Sequence, residues 1–565
     1  MNKSKQEEVF PRYVIINILK HFYYKKNYKG YGKFINSLSL VCKEWNEIVV
    51  PLIKTNIYTI YDHTTYTKYS LAKNDKGFRF RLILNDSSEE VYLKDINASF
   101  DSMIDTLQYS LPHPIKLRSF PSLRELQLKL DIGCNEILNQ IKCTSLSTMI
   151  LELTHIGKAS NIELGKITNL FKFSTTVKEL DIIGGITPSG MISIVDIDSL
   201  TRFTSLETLH LDGFKINVNL LNILLTRTKT LKTLSLRSLE YYGGAFSEIL
   251  ECIPNCESLQ SLILVEFTMN LDMLVKCVNS TKSLKSLKVT TNTTVSSVSP
   301  FKWIDNLSLE HVDVNCCGDT NGFLQLWNLN ESKLKSVRYD LCSHLYDNSK
   351  AYNVHELIST VNRCHSTIKK LYIQLHHPEQ LIKFYENLRL PNLKTLEVKI
   401  LDEPYVAIPI IPLLKSLPTI KTIKIYGMIM NFTYILDLMK SCQTIEKVHV
   451  EKVNSVDMNK LCKVLIKYPG SIRYFSISGV KSEMKSFNTY IEEISKIILN
   501  NQNIQYIRIP SPSWSKKDPI EKLSGFVLFL KALEMKSANL NGVVISGCAE
   551  ISKLLEKHLL TKFWV

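Results

Sequence analysis

Histidine, cysteine and lysine are the residues of this 565-residue chain best placed to do chemistry, and their spacing argues against most of the reactions they could serve. The tandem His376-His377 has no acid or histidine at helical spacing to complete a metal site, so an exposed loop pair is expected there. Cys252 with Cys256, and the adjacent Cys316 and Cys317, lack a second ligand pair at zinc-finger spacing. Cys143, Cys256 and Cys442 recur three residues before an apolar position, as small core residues do. Nucleophilic catalysis needs a base within reach of a hydroxyl or thiol, and no Gly-x-Ser-x-Gly elbow, kinase signature set or partnered histidine motif occurs. Gly30-Tyr31-Gly32-Lys33 is too short for a phosphate loop. The expectation is therefore no catalytic residue, no metal, no cofactor and no enzyme activity.

Charge is the next possible source of function. Lys and Arg exceed acids by 69 to 54, a net +15. The one concentration, Lys20, Lys25, Lys26, Lys29 and Lys33, reads as a solvated loop, and the rest of the excess is diffuse. Nucleic acid is not expected as a partner. Thirteen cysteines without paired spacing fit a reducing compartment. No signal-peptide stretch and no apolar run of spanning length is present, so no membrane partner and a cytoplasmic or nuclear location are expected.

The elements that organise the chain show themselves by repetition. A pattern of apolar, two variable, apolar, one variable, apolar recurs, clearest at Leu206-Leu209-Leu211, Leu231-Leu234-Leu236, Leu259-Leu262-Leu264 and Leu284-Leu287-Val289. It continues at Leu309-Val312-Val314, Leu334-Val337-Tyr339, Leu393-Leu396-Val398 and Ile420-Ile423-Ile425, with looser copies from Leu123 to Leu540. Starts at 259, 284, 309 and 334 keep a period of 25. The last residues of each copy alternate as a half-buried strand does, and one strand cannot bury its apolar side alone. Between copies, Leu220, Leu221, Leu224 and Leu225 stand at helical spacing.

This pattern resembles the leucine-rich-repeat family over residues 115 to 550. The resemblance implies an α/β solenoid with parallel strands on a concave face and helices on a convex face. The chain departs from the family where an Asn or Cys is usual, carrying Phe214, Leu239, Phe267, Met428 and Val480 instead. Side chains between the second and third apolar positions should point into the concavity. That column runs from Gln127 to Val544 and includes Asp181, His210, His449, Ser476 and Arg508. Its candidate substrate-binding residues are Lys288, Asp313, Arg338, Tyr372, Glu397 and Lys424, where acids interrupt bases and a protein fits better than a phosphate backbone. Arg338 and Tyr372 are of the types that most often anchor interfaces.

Residues 1–55 hold no repeat and read as helices, one with Val14, Ile15, Ile18, Leu19 and Phe22 on one face, another from Phe34 to Val49. Two blocks, Phe10-Pro11 through Ile18-Leu19 and Leu38-Ser39-Leu40-Val41-Cys42-Lys43-Glu44-Trp45, resemble an F-box, which implies an N-terminal all-α module. An F-box followed by leucine-rich repeats resembles the substrate receptors of Skp/cullin/F-box ubiquitin ligases. By that resemblance Pro11, Ile15, Leu19, Leu40, Val41 and Trp45 would touch a Skp-type adaptor, which links to the cullin ligase core, while the repeats hold a protein substrate. The alternative is a repeat scaffold or inhibitor acting by occlusion without ubiquitin machinery. Residues 56–115 are expected as a connection or irregular first repeat, entered by the Pro112-His113-Pro114 turn, 116–550 as the array, and 551–565 as a C-terminal capping helix.

Overall fold

Alternation at every second residue becomes strands with one buried and one open face. A computed structural model describes the chain between Tyr58 and Ser546, with interruptions chiefly at 71–78, 130–133, 154–160, 292–303, 317–332, 341–357, 376–386, 401–416, 479–485 and 511–522. The six adaptor-contact candidates from Pro11 to Trp45, the tandem His376-His377, Cys317 and the expected capping helix at 551–565 all lie outside the described residues. Met1–Phe267 and Thr268–Val565 form two compact units.

In the first unit, nine described strands form one parallel sheet, each paired with the next of the nine. They are Tyr58–Ile60, Phe80–Leu84, Ile104–Tyr109, Glu125–Lys129, Thr148–Glu152, Glu179–Ile183, Thr208–Asp212, Thr233–Arg237 and Ser261–Val265. Thr208–Asp212 shows the plan: Leu209 and Leu211 are buried while Thr208, His210 and Asp212 are half-exposed. Full burial of each such leucine contributes roughly 1.5–3 kcal/mol, and neighbouring strands supply it to one another.

In the second unit, ten described strands continue the same scheme, from Ser286–Thr291, His311–Cys316, Ser336–Asp340, Lys370–Leu375 and Thr395–Ile400 to Thr422–Met430, Lys447–Val453, Tyr474–Ile477, Tyr506–Pro510 and Gly542–Ser546. The described return segments here include the α-helices Phe432–Ser441, Met458–Lys467 and Phe487–Asn500. Each starts where a short polar residue can satisfy free N–H groups: Asn431 accepts from Thr433 N, Asp457 from Lys460 N and Ser486 from Thr489 N. Each then turns an apolar stripe inward, as with Ile491, Ile494, Ile497 and Ile498.

Two features refine the sequence reading. The array begins before the Pro112–Pro114 turn, since three strands between Tyr58 and Tyr109 already belong to the parallel sheet. Ile104, Leu107 and Tyr109 keep the spacing of the repeat motif, Tyr58–Ile60 and Phe80–Leu84 show only its alternating end, and the register slips between Phe80 and Arg81. Several returns in the first unit are also 3-10 turns instead of α-helices, at Leu164–Lys166, Thr168–Phe173 and Ile197–Arg202. The linking residues there also form a small second parallel sheet, from Asn161–Ile162, Ser193–Ile194, Lys215–Asn217 and Glu240–Tyr242. Few residues remain for the return, and a 3-10 turn covers about 2.0 Å per residue against about 1.5 Å for an α-helix. Asp196 ties two of these turns together, its Oδ1 accepting from Leu164 N at 2.7 Å and its Oδ2 from Gly165 N at 2.6 Å. A Cβ on Gly165 would stand 2.8 Å from that Oδ2, so only glycine permits the approach.

Of the positions without the family's Asn, Phe214 and Leu239 are buried. A hydroxyl ladder does part of the corresponding work on the other side of the repeat. The residue just before the first apolar position donates to the carbonyl of the first apolar residue one repeat earlier: Ser145 to Leu123 (2.8 Å), Thr230 to Leu206 (2.7 Å), Ser258 to Leu231 (2.7 Å), Ser308 to Leu284 (2.7 Å), Thr419 to Leu393 (3.1 Å) and Ser471 to Ile445 (2.8 Å). Carbonyls that face a chain turn, where no strand partner reaches them, are thus satisfied. Of the three cysteines expected in the core, Cys256 is buried, whereas Cys143 and Cys442 are half-exposed, and burial raises the pKa of all three thiols. No helix among the described residues is long and apolar enough to cross a membrane.

Candidate interaction surface

Strand register decides which outward side chains become neighbours. Lys288, Asp313, Arg338, Tyr372, Glu397 and Lys424 fall into a single row, each the Cα partner of the next on the adjoining strand. The row continues through His449, Ser476 and Arg508. Its charges are already matched: Asp313 stands 3.6 Å from both Lys288 Nζ and Arg338 Nε, and Lys424 Nζ donates to Glu397 at 2.9 Å. The bond to Glu397 holds the Lys424 pKa above the usual lysine range. The Arg338 guanidinium lies 4.1 Å from the centre of the Tyr372 ring, a cation–π contact that stiffens two interface-prone side chains.

Sequence reasoning followed only this central column. Strand period places the residues two before and two after it on the same face, and these carry the aromatic content. Tyr426 packs on His449 with ring centres 5.2 Å apart, Lys447 Nζ is 4.1 Å from the Tyr474 ring, and Tyr474 stacks on Tyr506 at 4.4 Å with planes 5° apart. The signal was present in the sequence as tyrosine or lysine at flanking positions of successive copies. Which of them meet depends on loop lengths that set the register.

His449 Nδ1 lies 3.0 Å from Ser476 Oγ, the pairing that nucleophilic catalysis uses. Ser476 is wholly buried, so no substrate can reach its hydroxyl, and this pair is a structural contact. Burial, then the charges of Arg508, Lys424 and Lys447, lower the His449 pKa against the opposing pull of Glu451.

The first unit has a different open face. Glu125, Glu152, Glu179, Asp181 and Asp212 stand on it with Arg81, Lys129 and Arg237. Arg81 reaches Glu125 at 3.3 Å and Arg237 comes within 3.7 Å of Asp212. His210 Nε2 is 3.8 Å from Asp181 Oδ1 and 4.0 Å from Glu179 Oε1. Burial raises the Asp181 pKa, with Glu179 and Glu125 adding to the rise and His210 opposing it, and Oδ1 accepts no hydrogen bond. Glu179, Asp181 and His210 form the one described grouping of three metal-capable donors, all within 4.8 Å of one another. The 3.8 and 4.0 Å separations are wider than the roughly 3.3 Å between donors on tetrahedral zinc bonded at about 2.0 Å, so the group is read as an ion-pair cluster.

No protein-family model matches the chain, and no curated protein matches it. Among solved structures it is similar to a leucine-rich-repeat protein of Leptospira interrogans, at 15% identity and TM-score 0.31 over 73% of this chain and 89% of that one. It is also similar to an internalin of Listeria monocytogenes, at 14% and 0.32 over 69% and 87%. TLR13 in complex with ssRNA13 gives 13% and 0.42 over 82% of this chain and 62% of that one. Likenesses of this size carry no argument about function. The leucine-rich α/β repeat plan stands on the motif, the parallel register and the buried face described above.

Proposed function

We propose that this chain is a protein-binding repeat receptor that works without a catalytic site of its own and needs no cofactor. The observation that supports this reading is the row from Lys288 to Lys424, which sets an arginine stacked on a tyrosine among matched charges on an open sheet face. Surfaces that bind proteins concentrate Arg and Tyr and gain from rigid, partly desolvated side chains. Mixed charge of this kind gives specificity and register more than raw affinity.

The finer reading is a substrate receptor of a Skp/cullin/F-box ubiquitin ligase, in the cytoplasm or nucleus. It draws on the two N-terminal sequence blocks, with Pro11, Ile15, Leu19, Leu40, Val41 and Trp45 docking the adaptor. Its mechanism needs no acid, base or nucleophile: holding a substrate beside a catalytic partner raises the effective concentration of the reacting groups. Pull-down with a Skp-type adaptor tests it. Wild type should bind, and Leu19→Asp combined with Trp45→Ala should not. Failure of wild type to bind, or equal binding by the variant, leaves the scaffold or occluding inhibitor reading, in which deletion of residues 1–55 does not change partner lifetime.

A further inference from the structure

The open face over the last strands of the second unit carries Tyr426, His449, Tyr474 and Tyr506 in ring contacts. Thr422–Met430, Lys447–Val453, Tyr474–Ile477 and Tyr506–Pro510 pair in parallel, so their outward side chains stand in rows about 4.8 Å apart. Lys447, Tyr474 and Tyr506 make one row, in which the ammonium sits 4.1 Å from one ring and the two rings stack at 4.4 Å. Lys424, His449 and Arg508 belong to the next row, and all six of these side chains are half-buried.

Charge, ring geometry and spacing together indicate what would complement this surface. Among the described residues, Lys424, Lys447 and Arg508 face two acids, Glu397, which holds Lys424, and Glu451, and after burial the three cations are what disfavour a proton on His449. A partner here should be anionic. A nucleic-acid strand would need an unbroken run of cations and open ring faces between which bases can stack. The two acids interrupt the run, and Tyr474 and Tyr506 are closed onto each other. A protein chain fits better. Lys424 and Arg508 stand three strands apart, about 14 Å at about 4.8 Å per strand, and side chains at i and i+4 of an extended peptide are about 13 Å apart.

We infer that this surface binds an extended acidic protein segment, whose carboxylates at i and i+4 meet Lys424 and Arg508 while the residue between them lies over the Tyr474–Tyr506 pair beside Lys447. This deepens the protein-binding reading and rests on it, but it is independent of the adaptor. The test uses the full chain and fluorescence anisotropy with a peptide of about nine residues carrying glutamates at i and i+4 around a central tyrosine. A counterpart with glutamine in place of glutamate and a thymidylate oligonucleotide of similar length are the controls. The glutamate peptide should bind at least about tenfold more tightly than the glutamine peptide, and weaken as salt rises from about 0.05 to 0.2 M. Lys447→Glu with Arg508→Glu should remove at least about tenfold of the affinity while circular dichroism and the unfolding midpoint stay at wild-type values. If that pair fails to fold, Lys447→Gln with Arg508→Gln takes its place.

Equal binding of the two peptides, no loss on charge reversal, or tighter binding of the oligonucleotide than of the glutamate peptide overturns the proposal. A cellular partner that co-purifies equally with wild type and the charge-reversed variant overturns this surface alone and leaves the protein-binding reading standing.

Discussion

The two units share a buried face and differ in their open one. In the first, Glu125, Glu152, Glu179, Asp181 and Asp212 crowd the sheet, and burial, with like charge from Glu179 and Glu125, raises the Asp181 pKa against the pull of His210. In the second, Lys288, Arg338, Lys424, Lys447 and Arg508 stand among tyrosines, and Asp313 and Glu397 are paired at 2.9–3.6 Å. Apolar burial is set by the motif and must repeat, whereas the open positions carry no folding requirement and are free to differ in charge. The difference between the units therefore lies where function can reside, and the likeness between them where stability does.

The largest effect should come from the shared face. Leu234→Ala in the first unit and Leu396→Ala in the second should each cost roughly 2–5 kcal/mol in urea unfolding, whereas Ser235→Ala beside the former should change stability by less than about 0.5 kcal/mol. Comparable losses at Ser235 and Leu234 would break the division into a stabilising and a free face.

Next comes the burden of buried acid in the first unit. Burial raises the Asp101 pKa from 3.8 to about 6 although Arg118 Nε, 3.2 Å away, opposes the shift. A raised folded-state pKa means the folded form binds the proton more tightly, so its contribution is full below the unfolded value near 3.8 and is lost as pH rises through about 6. Wild type should lose on the order of 2 kcal/mol between about pH 4 and pH 8 relative to Asp101→Asn. Thermal unfolding across that range checks it, and parallel curves for the two proteins would refute it.

The hydroxyl ladder runs through both units and should matter equally in each. Thr230→Val and Ser308→Ala should each cost about 1 kcal/mol, with amide exchange rising locally around Leu206 and Leu284. An effect confined to one unit would show that the ladder does not serve the two alike.

The smallest effect belongs to the matched charges of the second unit's row. Glu397→Gln should cost below about 1 kcal/mol and release Lys424, whose raised pKa should then fall toward the ordinary lysine value. Chemical-shift titration of Lys424 reads that directly.

The repeat motif alone carried the strand positions and the central column, because a period of two assigns every residue to one face or the other. It also placed Lys288, Asp313, Arg338, Tyr372, Glu397 and Lys424 outward, where the structure aligns them in one row. Residues 56–115 read only as a connection or irregular first repeat because Tyr58–Ile60 and Phe80–Leu84 show no more than the alternating end of the motif, and the spacing of Ile104, Leu107 and Tyr109 stands alone there. Contacts across strands escaped the motif. Tyr474 meets Tyr506, and Asp181 meets His210, only because loops of unequal length return the chain to one register. Ser476, outward by position, is sealed by its neighbours and so lost to chemistry. Sequence determines which way a side chain faces, since that is a local property of the backbone. Tertiary structure decides what it faces, since neighbouring side chains come from strands some 25 residues apart whose register is fixed by the packing of the core.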